Sequence, residues 1–373
     1  MDSATHVLIA AVSGRALAAS ARRGGYVPLV TDFFGDEDTL ALAYAHVRLD
    51  AGLARGMEAD ELLDALAALA APRQPAGTVC GTGFEDRPEL LARVAQRWRL
   101  LGNSPDTVAR VKDPRAFAAL CHACDVPHPA TSTTAPADPS GWLAKRRGGA
   151  GGTHVTMVAD GTADAKPSYF QRRVVGTPVS ALVLAAGGRA MVLGFSAQWS
   201  APLPDRPFRY GGAVRPAALA PAMADALTDA VQRLVSAVPL IGLNSFDFLV
   251  DGDAFWLLEI NPRPGATLDI FEPAGTSLFA LHMAATRGVL PARPPMLSGA
   301  AAMAIAYAPH DIHVIPAMDW PEWTADRQTA GTTVKAGEPV CTVLASAHDA
   351  DAAKDLVDRR TAAILAAVAA RLP

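Results

Sequence analysis

The sequence predicts an α/β protein in which a parallel α/β domain comes first and a strand-rich α+β region follows. Apolar runs of strand length alternate with helical patterns near the amino terminus. HVLIAAV (6–12) precedes ALAASARRG (16–24), and YVPLVTDFF (26–34) follows as a second buried strand. Strands that alternate with helices favour a parallel sheet with right-handed crossovers. A parallel domain over roughly 1–105 is the simplest account.

The same rhythm continues to about residue 100 and then changes. VCGTGFE (79–85) indicates a strand that ends in glycine and acid, and PELLARVAQRW (88–98) indicates the helix after it. Pro114 stands where a helix begins, since proline is favoured at the first helical position. TSTTAPADPSG (131–141) is a polar stretch typical of a connection between elements.

The second part of the chain is built from glycine-bounded strands and two longer helices. PAMADALTDAVQRLVSAV (221–238) has the spacing of an amphipathic helix, and LNSFDFLVDGDAFWLLEINP (243–262) predicts a hairpin. The tail holds one more strand-rich stretch (331–347) and an Ala-rich closing helix (353–372). No internal repeat is evident.

Composition excludes several classes of protein. With 373 residues, 50% of them hydrophobic and 19% charged, the chain is expected to form several packed units. A net charge of -4 offers no basic stripe, so nucleic acid is not expected as a main partner. Charges interrupt every apolar run before the ~18 residues of a spanning helix, and no signal peptide is recognised. We therefore expect a cytoplasmic protein with no membrane partner.

Three other patterns have simple structural interpretations. Cys121 and Cys124 form a CxxC, but no second pair answers it, so free thiols are expected rather than metal or disulfide chemistry. His310, Asp311 and His313 have metal-like spacing and are interpreted as a turn. The run 209–212 (RYGG) follows a Pro-rich segment and is interpreted as a loop, with a substrate contact or lid as the alternative.

A glycine-rich segment is the first candidate site. Lys145 ends a predicted strand, and four glycines follow within 148–152. Glycines let consecutive backbone N–H groups approach phosphate oxygens, and the lysine adds a positive charge. A flexible surface hairpin is the alternative. A Rossmann loop fits poorly because a strand follows rather than a helix, and a Walker loop is excluded because GK[ST] is missing.

The hairpin over 243–262 is the second candidate site. Side chains alternate along a strand, so Glu259 and Asn261 share a face. Asp247 joins that face if the turn has an odd number of residues, such as 251–253, which sets Asp247 opposite Leu257. Oxygen donors of this kind suit Mg²⁺ shared with phosphates and water. An amphipathic hairpin with one wet face is the alternative.

Taken together, these pieces resemble the ATP-grasp superfamily. The resemblance rests on Lys112 in VKDP, the Lys145 glycine loop, QRRVVG (171–176) and the Asp247 to Arg263 hairpin, and covers about 100–290. It implies an N-terminal Rossmann-like pre-ATP-grasp domain followed by a two-lobed α+β ATP-grasp fold. The implied divisions are a pre-ATP-grasp domain (1–105), a small lobe (106–185), a large lobe (186–300) and a C-terminal strand-rich patch with a helix packing on that lobe (301–373).

The resemblance also implies roles for individual residues. Arg263 and Lys145 are implied as catalytic residues, with Arg263 steadying an acyl phosphate, and Asp247, Glu259 and Asn261 as metal ligands. The implied nucleotide-binding residues are Lys112, Lys145, Gly148, Gly149, Gly151, Gly152, Gln171, Arg172, Arg173 and Val174. In this set the lysines contact phosphates, and the backbone around 173–174 contacts the adenine edge. Arg172 and Pro178 depart from the family, whose members often have acidic residues there, so ribose recognition is left open.

The implied activity is an ADP-forming carboxylate–amine ligase. It would use ATP with one or two Mg²⁺ ions, with Mn²⁺ as a substitute, to activate a carboxylate as an acyl phosphate and join it to an amine. Its partners would be these small molecules, and a homodimer is left open. The segment 261–272 is most similar to small amino-acid and cofactor ligases, some of them in methanopterin and methanofuran synthesis. The alternatives are a phosphotransferase or carboxylase of the same superfamily and a nucleotide-binding regulator without turnover.

Overall fold

A parallel sheet forms the first part of the molecule. This computed structural model describes residues 5–371, with gaps at 51, 53–55 and 159–168. The strands run parallel in the order β3-β2-β1-β4. They are β1 (His6–Ala10), β2 (Val27–Asp32), β3 (Ala45–Arg48) and β4 (Thr78–Cys80), and the helices are α1 (Arg15–Arg23), α2 (Glu37–Leu42), α3 (Ala59–Ala70) and α4 (Pro88–Ala95). The predicted parallel domain is confirmed, and residues 7–10 of its inner strand β1 are fully buried.

Two short helices lead out of this sheet. They are α5 (Pro105–Lys112) and α6 (Pro114–Ala123), each with proline in its first turn. Ser104 caps α5 by accepting a hydrogen bond from the Thr107 amide, and Asp113 caps α6 in the same way. Asp113 is also the residue at which α5 ends, which fixes Lys112 at the carboxyl end of α5.

A small antiparallel sheet follows, with the order β5-β8-β6-β7. Its strands are β5 (Thr131–Ser132), β6 (Trp142–Lys145), β7 (Val155–Met157) and β8 (Tyr169–Arg172). Lys145 pairs with Val155 across β6 and β7, so the glycine-rich segment is the connection of a hairpin.

The rest of the chain forms an eight-stranded antiparallel sheet in the order β13-β12-β9-β10-β11-β14-β16-β15. The strands are β9 (Thr177–Ala186), β10 (Arg189–Ser200), β11 (Tyr210–Arg215), β12 (Gly242–Asp251), β13 (Ala254–Asn261), β14 (Ala300–Tyr307), β15 (Thr324–Ala325) and β16 (Pro339–Ala347). The helices are α7 (Pro221–Ala237), α8 (Leu268–Phe271), α9 (Leu278–Ala285) and α10 (Ala350–Ala369). The strand-rich second part of the chain is therefore confirmed, while the exact domain divisions stay a prediction.

The loop interpretation of 209–212 is wrong from Tyr210 onward, because Tyr210 begins β11 in the middle of the large sheet. Gly211 and Gly212 serve close packing rather than a turn. A Cβ atom on Gly212 would lie 2.3 Å from the Trp199 ring and 2.2 Å from the Met303 carbonyl oxygen. Glycine inside a strand often marks such a close approach.

One apolar cluster joins the parallel sheet to the large sheet. Val7 and Ile9 of β1 share it with Phe271 and Phe279, and with buried residues of β9 such as Leu184. The helix α7 covers the other face of the large sheet with a second cluster. No helix among the described residues is long and apolar enough to cross a membrane.

Candidate active site

The hairpin β12–β13 is shaped by a bulge. Asp251 pairs with Ala254, so the turn has two residues rather than the predicted three. Phe248 lies opposite Leu257, but Asp247 lies opposite Glu259, which leaves Leu258 as the extra residue of a β-bulge. The prediction that Asp247 lies opposite Leu257 is therefore wrong. The bulge shifts the register by one residue and brings the two carboxylates directly across from each other.

The three predicted metal ligands lie in one hydrogen-bonded cluster. Asn261 Nδ2 donates to Asp247 Oδ2 at 2.9 Å and contacts Glu259 Oε1 at 3.4 Å. Ser180 of β9 donates to Asp247 Oδ1 at 2.6 Å. Lys112 Nζ donates to Asn261 Oδ1 at 2.7 Å and pairs with Glu259 Oε2 at 3.1 Å. The end of α5 thus places the Lys112 ammonium group among the predicted metal ligands. The family resemblance had implied that this lysine contacts ATP phosphates.

The two carboxylates of the cluster have opposite electrostatic characters. Burial alone would raise the pKa of Glu259, but Lys112, Lys145 and His154 outweigh it and hold that pKa below its usual range. Burial, and then the neighbouring Glu259 charge, raise the pKa of Asp247 to about 6. Two adjacent carboxylates resist ionising together, so one stays charged while the other holds its proton more tightly.

The donors of this cluster fit a magnesium ion that is shared with a ligand. Two carboxylates and one amide supply hard oxygen atoms, which Mg²⁺ prefers, but too few to enclose it. In the part of the chain that the structure describes, no group of three or more His, Cys, Asp or Glu side chains could hold a metal by itself. The Lys112 ammonium already shows that Glu259 and Asn261 together accept a cation.

Lys145 lies at the end of β6 in a different environment. Its Nζ donates to Gln171 Oε1 at 3.1 Å, and both side chains are buried. Within the described residues it has no carboxylate within 4.0 Å. Burial lowers the pKa of Lys145, and the more distant Glu259 and Asp247 oppose this only in part. Lys145 is therefore a desolvated cation without a direct counter-ion.

The glycine segment lies close to two other parts of the chain. Gly148, Gly151 and Gly152 adopt φ values of 67°, 65° and 70°, which favour glycine. A Cβ atom on Gly152 would lie 1.8 Å from the Phe208 carbonyl oxygen, and one on Gly148 would lie 2.3 Å from the Asp86 amide nitrogen. The Tyr210 amide also donates to the Gly151 carbonyl at 2.9 Å. The mobility expected of this segment without nucleotide stays a prediction.

A cleft of about 370 Å³, counting its open mouth, connects Lys112 and Glu259 with the small sheet. Several of its buried polar atoms have no hydrogen-bond partner among the described residues, namely His128 Nε2, His154 Nδ1 and Gln171 Nε2. Each such group costs about 1–3 kcal/mol when it is left unpaired. Sequence patterns did not single out His128 and His154, because a lone histidine has no distinguishing spacing. The cleft is suited to a ligand rich in hydrogen-bonding groups.

The predicted adenine edge has partners within the protein. The Arg172 guanidinium donates to the Ser140 carbonyl at 2.8 Å and lies 5.9 Å from the centre of the Trp142 ring. The Arg173 amide donates to the Gly141 carbonyl at 2.8 Å. Arg172 therefore anchors β8 to the start of β6, which explains a basic residue at this position. The nucleotide contacts at 171–174 stay a prediction.

Arg263 lies just beyond the metal-ligand set and contacts the first domain. Its Nε donates to Glu85 Oε1 at 2.7 Å. Glu85 Oε2 accepts from the amides of Gly83 and Phe84 at 2.7 and 3.0 Å. Burial alone would raise the pKa of Glu85, but Arg263 and Lys112 outweigh it and lower that pKa. The sequence analysis placed Glu85 only at the end of a predicted strand and did not predict its contact with Arg263.

Residues 115–267 match the family described as an ATP-grasp domain. This chain contains an ATP-grasp domain. The resemblance to the superfamily is thus confirmed, while the narrower likeness to methanopterin-type and methanofuran-type ligases stays a prediction. A search of curated proteins finds no match.

Solved structures share the fold over nearly the whole length of this chain. Biotin carboxylase from Campylobacter jejuni, solved as a β,γ-ATP complex, matches with a TM-score of 0.73 and 17% identity over 95% of this chain and 90% of that one. The biotin carboxylase domain dimer of Hydrogenobacter thermophilus 2-oxoglutarate carboxylase, solved with MgADP, ADP and bicarbonate, gives 0.74 and 12% over 95% and 89%. An ADP complex of N5-carboxyaminoimidazole ribonucleotide synthetase gives 0.72 and 15% over 96% of each chain. The predicted fold class is confirmed.

Proposed function

We propose that this protein is an ATP-dependent ligase that activates a small carboxylic acid as an acyl phosphate and joins it to an amine, releasing ADP and phosphate. One observation carries the proposal. The cluster of Asp247, Glu259 and Asn261 is close enough to two separate cations to feel the charge of each: Lys145 helps to lower the pKa of Glu259, and Arg263 opposes the rise in the pKa of Asp247. This supports a site in which Lys145 would bind the nucleotide, the cluster would hold the metal ion and Arg263 would bind an anion.

Each group has a task that its environment suits. Lys145, whose charge is poorly compensated, would bind triphosphate oxygens together with the amides of the glycine segment. Asp247, Glu259 and Asn261 would hold Mg²⁺ or Mn²⁺, which neutralises charge on the β- and γ-phosphate oxygens when bound. Arg263 would neutralise the carboxylate and then the acyl phosphate.

The reaction needs positioning more than acid–base chemistry. A carboxylate oxygen attacks the γ-phosphorus, and the bond from that phosphorus to the β-phosphate oxygen breaks to release ADP. The amine nitrogen then attacks the acyl carbon, phosphate leaves with the bond electrons, and the nitrogen gives up a proton. Preorganised cations stabilise the charge that spreads over the phosphate oxygens in the first step.

A carboxylase-type reaction is the second candidate, because two of the similar structures are biotin carboxylases and one is a carboxyaminoimidazole ribonucleotide synthetase. Bicarbonate would then replace the organic acid, and the phosphate chemistry would be the same. Biosynthesis of a one-carbon carrier cofactor is a further part of the proposal that rests on the family resemblance alone. Action in the cytoplasm rests on the charge-interrupted apolar runs of the sequence, and a homodimeric state is left open.

The test uses hydroxylamine as a general amine. The protein is incubated with ATP, Mg²⁺, hydroxylamine and one member of a panel of amino acids, linear and branched carboxylic acids, or bicarbonate. ADP and an acyl hydroxamate that appear together with an organic acid support the ligase. ADP formation with bicarbonate alone favours the carboxylase. Unchanged ATP under every condition contradicts both and favours a regulator without turnover.

A further inference from the structure

The contact between Glu85 and Arg263 joins the first domain to the reactive end of the site. Glu85 lies directly after the β4 loop, and Arg263 follows the last residue of β13 by two positions. The distance from Arg263 Nε to Glu85 Oε1 is 2.7 Å. Both side chains are largely buried, with 12% of the Arg263 side chain and 3% of the Glu85 side chain exposed. We propose that Glu85 is a positioning residue that orients the Arg263 guanidinium toward the substrate carboxylate.

This inference rests on the proposed function, since it assigns part of the acid site of the ligase to the first domain. The chemical group recognised is a carboxylate and the acyl phosphate formed from it. A guanidinium that is held in one orientation can donate two parallel hydrogen bonds to a pair of carboxylate or phosphate oxygens.

Glu85 is built as a rigid acceptor. Its second oxygen accepts two backbone hydrogen bonds, from Gly83 and Phe84, so the carboxylate cannot rotate without losing both. Gly83 has a φ of 120°, a conformation that a residue with a side chain rarely adopts. The β4 loop is therefore shaped to hold this carboxylate still. Because a buried ion pair adds little net stability in general, stability alone does not explain the fixed geometry of this pair.

The contacts of Arg263 leave part of its fork free. Nε is used by Glu85, and Nη1 has only a 3.4 Å contact to the Pro264 carbonyl. Nη2 has no hydrogen-bond partner among the residues that the structure describes. Glu85 therefore fixes the guanidinium at its Nε edge and leaves Nη donors for an anion. A guanidinium that is free to rotate would lose conformational entropy each time it binds an anion, and this loss would weaken binding.

The same segment carries a second contact to the first domain, which serves as a matched control. Asp269 forms a two-fold hydrogen bond with Arg15, with both distances at 2.6 Å, and these side chains are also buried. This pair docks residues 261–272 onto α1 without touching Arg263. Loss of docking alone and loss of Arg263 orientation can therefore be separated.

The experiment is a double-mutant cycle with Glu85→Gln, Arg263→Ala and both changes together. Glu85→Gln is expected to raise the KM for the acid by about tenfold to a hundredfold, the size seen for outer partners of metal ligands. The Kd for Mg-ATP should stay unchanged. In the Arg263→Ala background, Glu85→Gln should cause no further loss of kcat/KM. Asp269→Asn should lower the Tm but leave the KM for the acid at the wild-type value.

Several results would overturn the inference. One is a wild-type KM in Glu85→Gln, and another is an equal loss from Glu85→Gln with and without Arg263. A third is a KM increase in Asp269→Asn as large as that in Glu85→Gln, which would mean that docking alone matters.

An NMR measurement keeps the inference testable if no acid supports ADP formation, in which case the proposed function fails by itself. The Nε–H resonance of Arg263, assigned by its loss in Arg263→Lys, should be protected from exchange in the wild type and should lose protection in Glu85→Gln. Equal exchange in both proteins would contradict the positioning role directly.

Discussion

The β12–β13 hairpin and the small sheet face the same cleft but differ in how many of their polar groups have hydrogen-bond partners. In the hairpin, each predicted metal ligand already has partners, since Asn261 binds Asp247 and Lys112, and Ser180 binds Asp247. In and beside the small sheet, His154 and Gln171 each keep a buried nitrogen that has no partner in the described part of the chain. The polar groups of the hairpin are thus paired within the protein, whereas on the proposed function a ligand would pair those of the small sheet.

The two lysines of the site show the same difference. Lys112 has two oxygen acceptors within 3.1 Å, one of them charged. Among the residues that the structure describes, Lys145 has a single acceptor, which is neutral, and burial lowers its pKa. A charge that is buried without compensation weakens the folded state, and an arriving triphosphate would relieve that cost. On the proposed function, the paired hairpin and the uncompensated Lys145 would bind one nucleotide from two sides.

The largest expected effect concerns Glu259 of the β12–β13 hairpin. Glu259→Gln should reduce Mg²⁺-dependent ADP formation by about a thousandfold, because it removes a proposed metal ligand and the carboxylate that pairs with Lys112. A loss of this size is at the upper end for one preorganised group. The fold should be retained, but the Tm should fall because buried Lys112 loses its charged partner. Steady-state assays over a Mg²⁺ titration measure the effect. Asp253→Asn, an exposed acid in the turn of the same hairpin, is the control and should behave as the wild type.

The second prediction sets the two lysines against each other. Lys145→Met should cost on the order of 2–4 kcal/mol of transition-state stabilisation and weaken ATP binding, but it should raise the Tm because a poorly compensated charge is removed. Lys112→Met should reduce activity less and lower the Tm, since Glu259 loses its partner. Calorimetry and ATP titration give both quantities. Tm changes of the same sign in the two variants would contradict the difference drawn here.

The third prediction concerns pH. The pKa of Asp247 is raised to about 6 when no metal is bound, so its carboxyl is protonated below that pH and must release the proton to bind Mg²⁺. The Mg²⁺ concentration for half-maximal activity should rise as the pH falls through about 6 and stay level above it. Asp247→Asn should have a higher requirement that no longer depends on pH over this range. A wild-type requirement that is constant from pH 5 to 8 would argue against Asp247 as a ligand.

The smallest expected effect separates two glycines of the loop. Both have positive φ, but a Cβ atom on Gly151 would have nothing within 4 Å, whereas one on Gly152 would meet the Phe208 carbonyl at 1.8 Å. Gly151→Ala should therefore cost only about 1 kcal/mol of local strain. Gly152→Ala should also displace the loop and reduce kcat by a larger factor. Equal kcat values in the two variants would show that the contact with residue 208 is not needed.

The sequence predicts the fold well because its signals are local. Strand and helix periods are visible in HVLIAAV and in 221–238, and the lysine before a run of glycines predicts a hairpin loop. Non-local features were missed. The bulge at Leu258 depends on pairing with β12, and the glycines of β11 are explained by Trp199, a residue on another strand. The Glu85–Arg263 pair joins residues 178 positions apart, and no spacing rule reports such a contact.

The nucleotide product tests the central claim most directly. ³¹P NMR of a reaction with ATP, Mg²⁺, hydroxylamine and an active acid should show ADP and inorganic phosphate in equal amounts, with acyl hydroxamate formed in step. Attack at the γ-phosphorus requires this result, because ADP is then the leaving group and the acyl phosphate releases inorganic phosphate to the amine. AMP and pyrophosphate as the products would mean that the acid attacks the α-phosphorus and would contradict the proposed acyl-phosphate ligase.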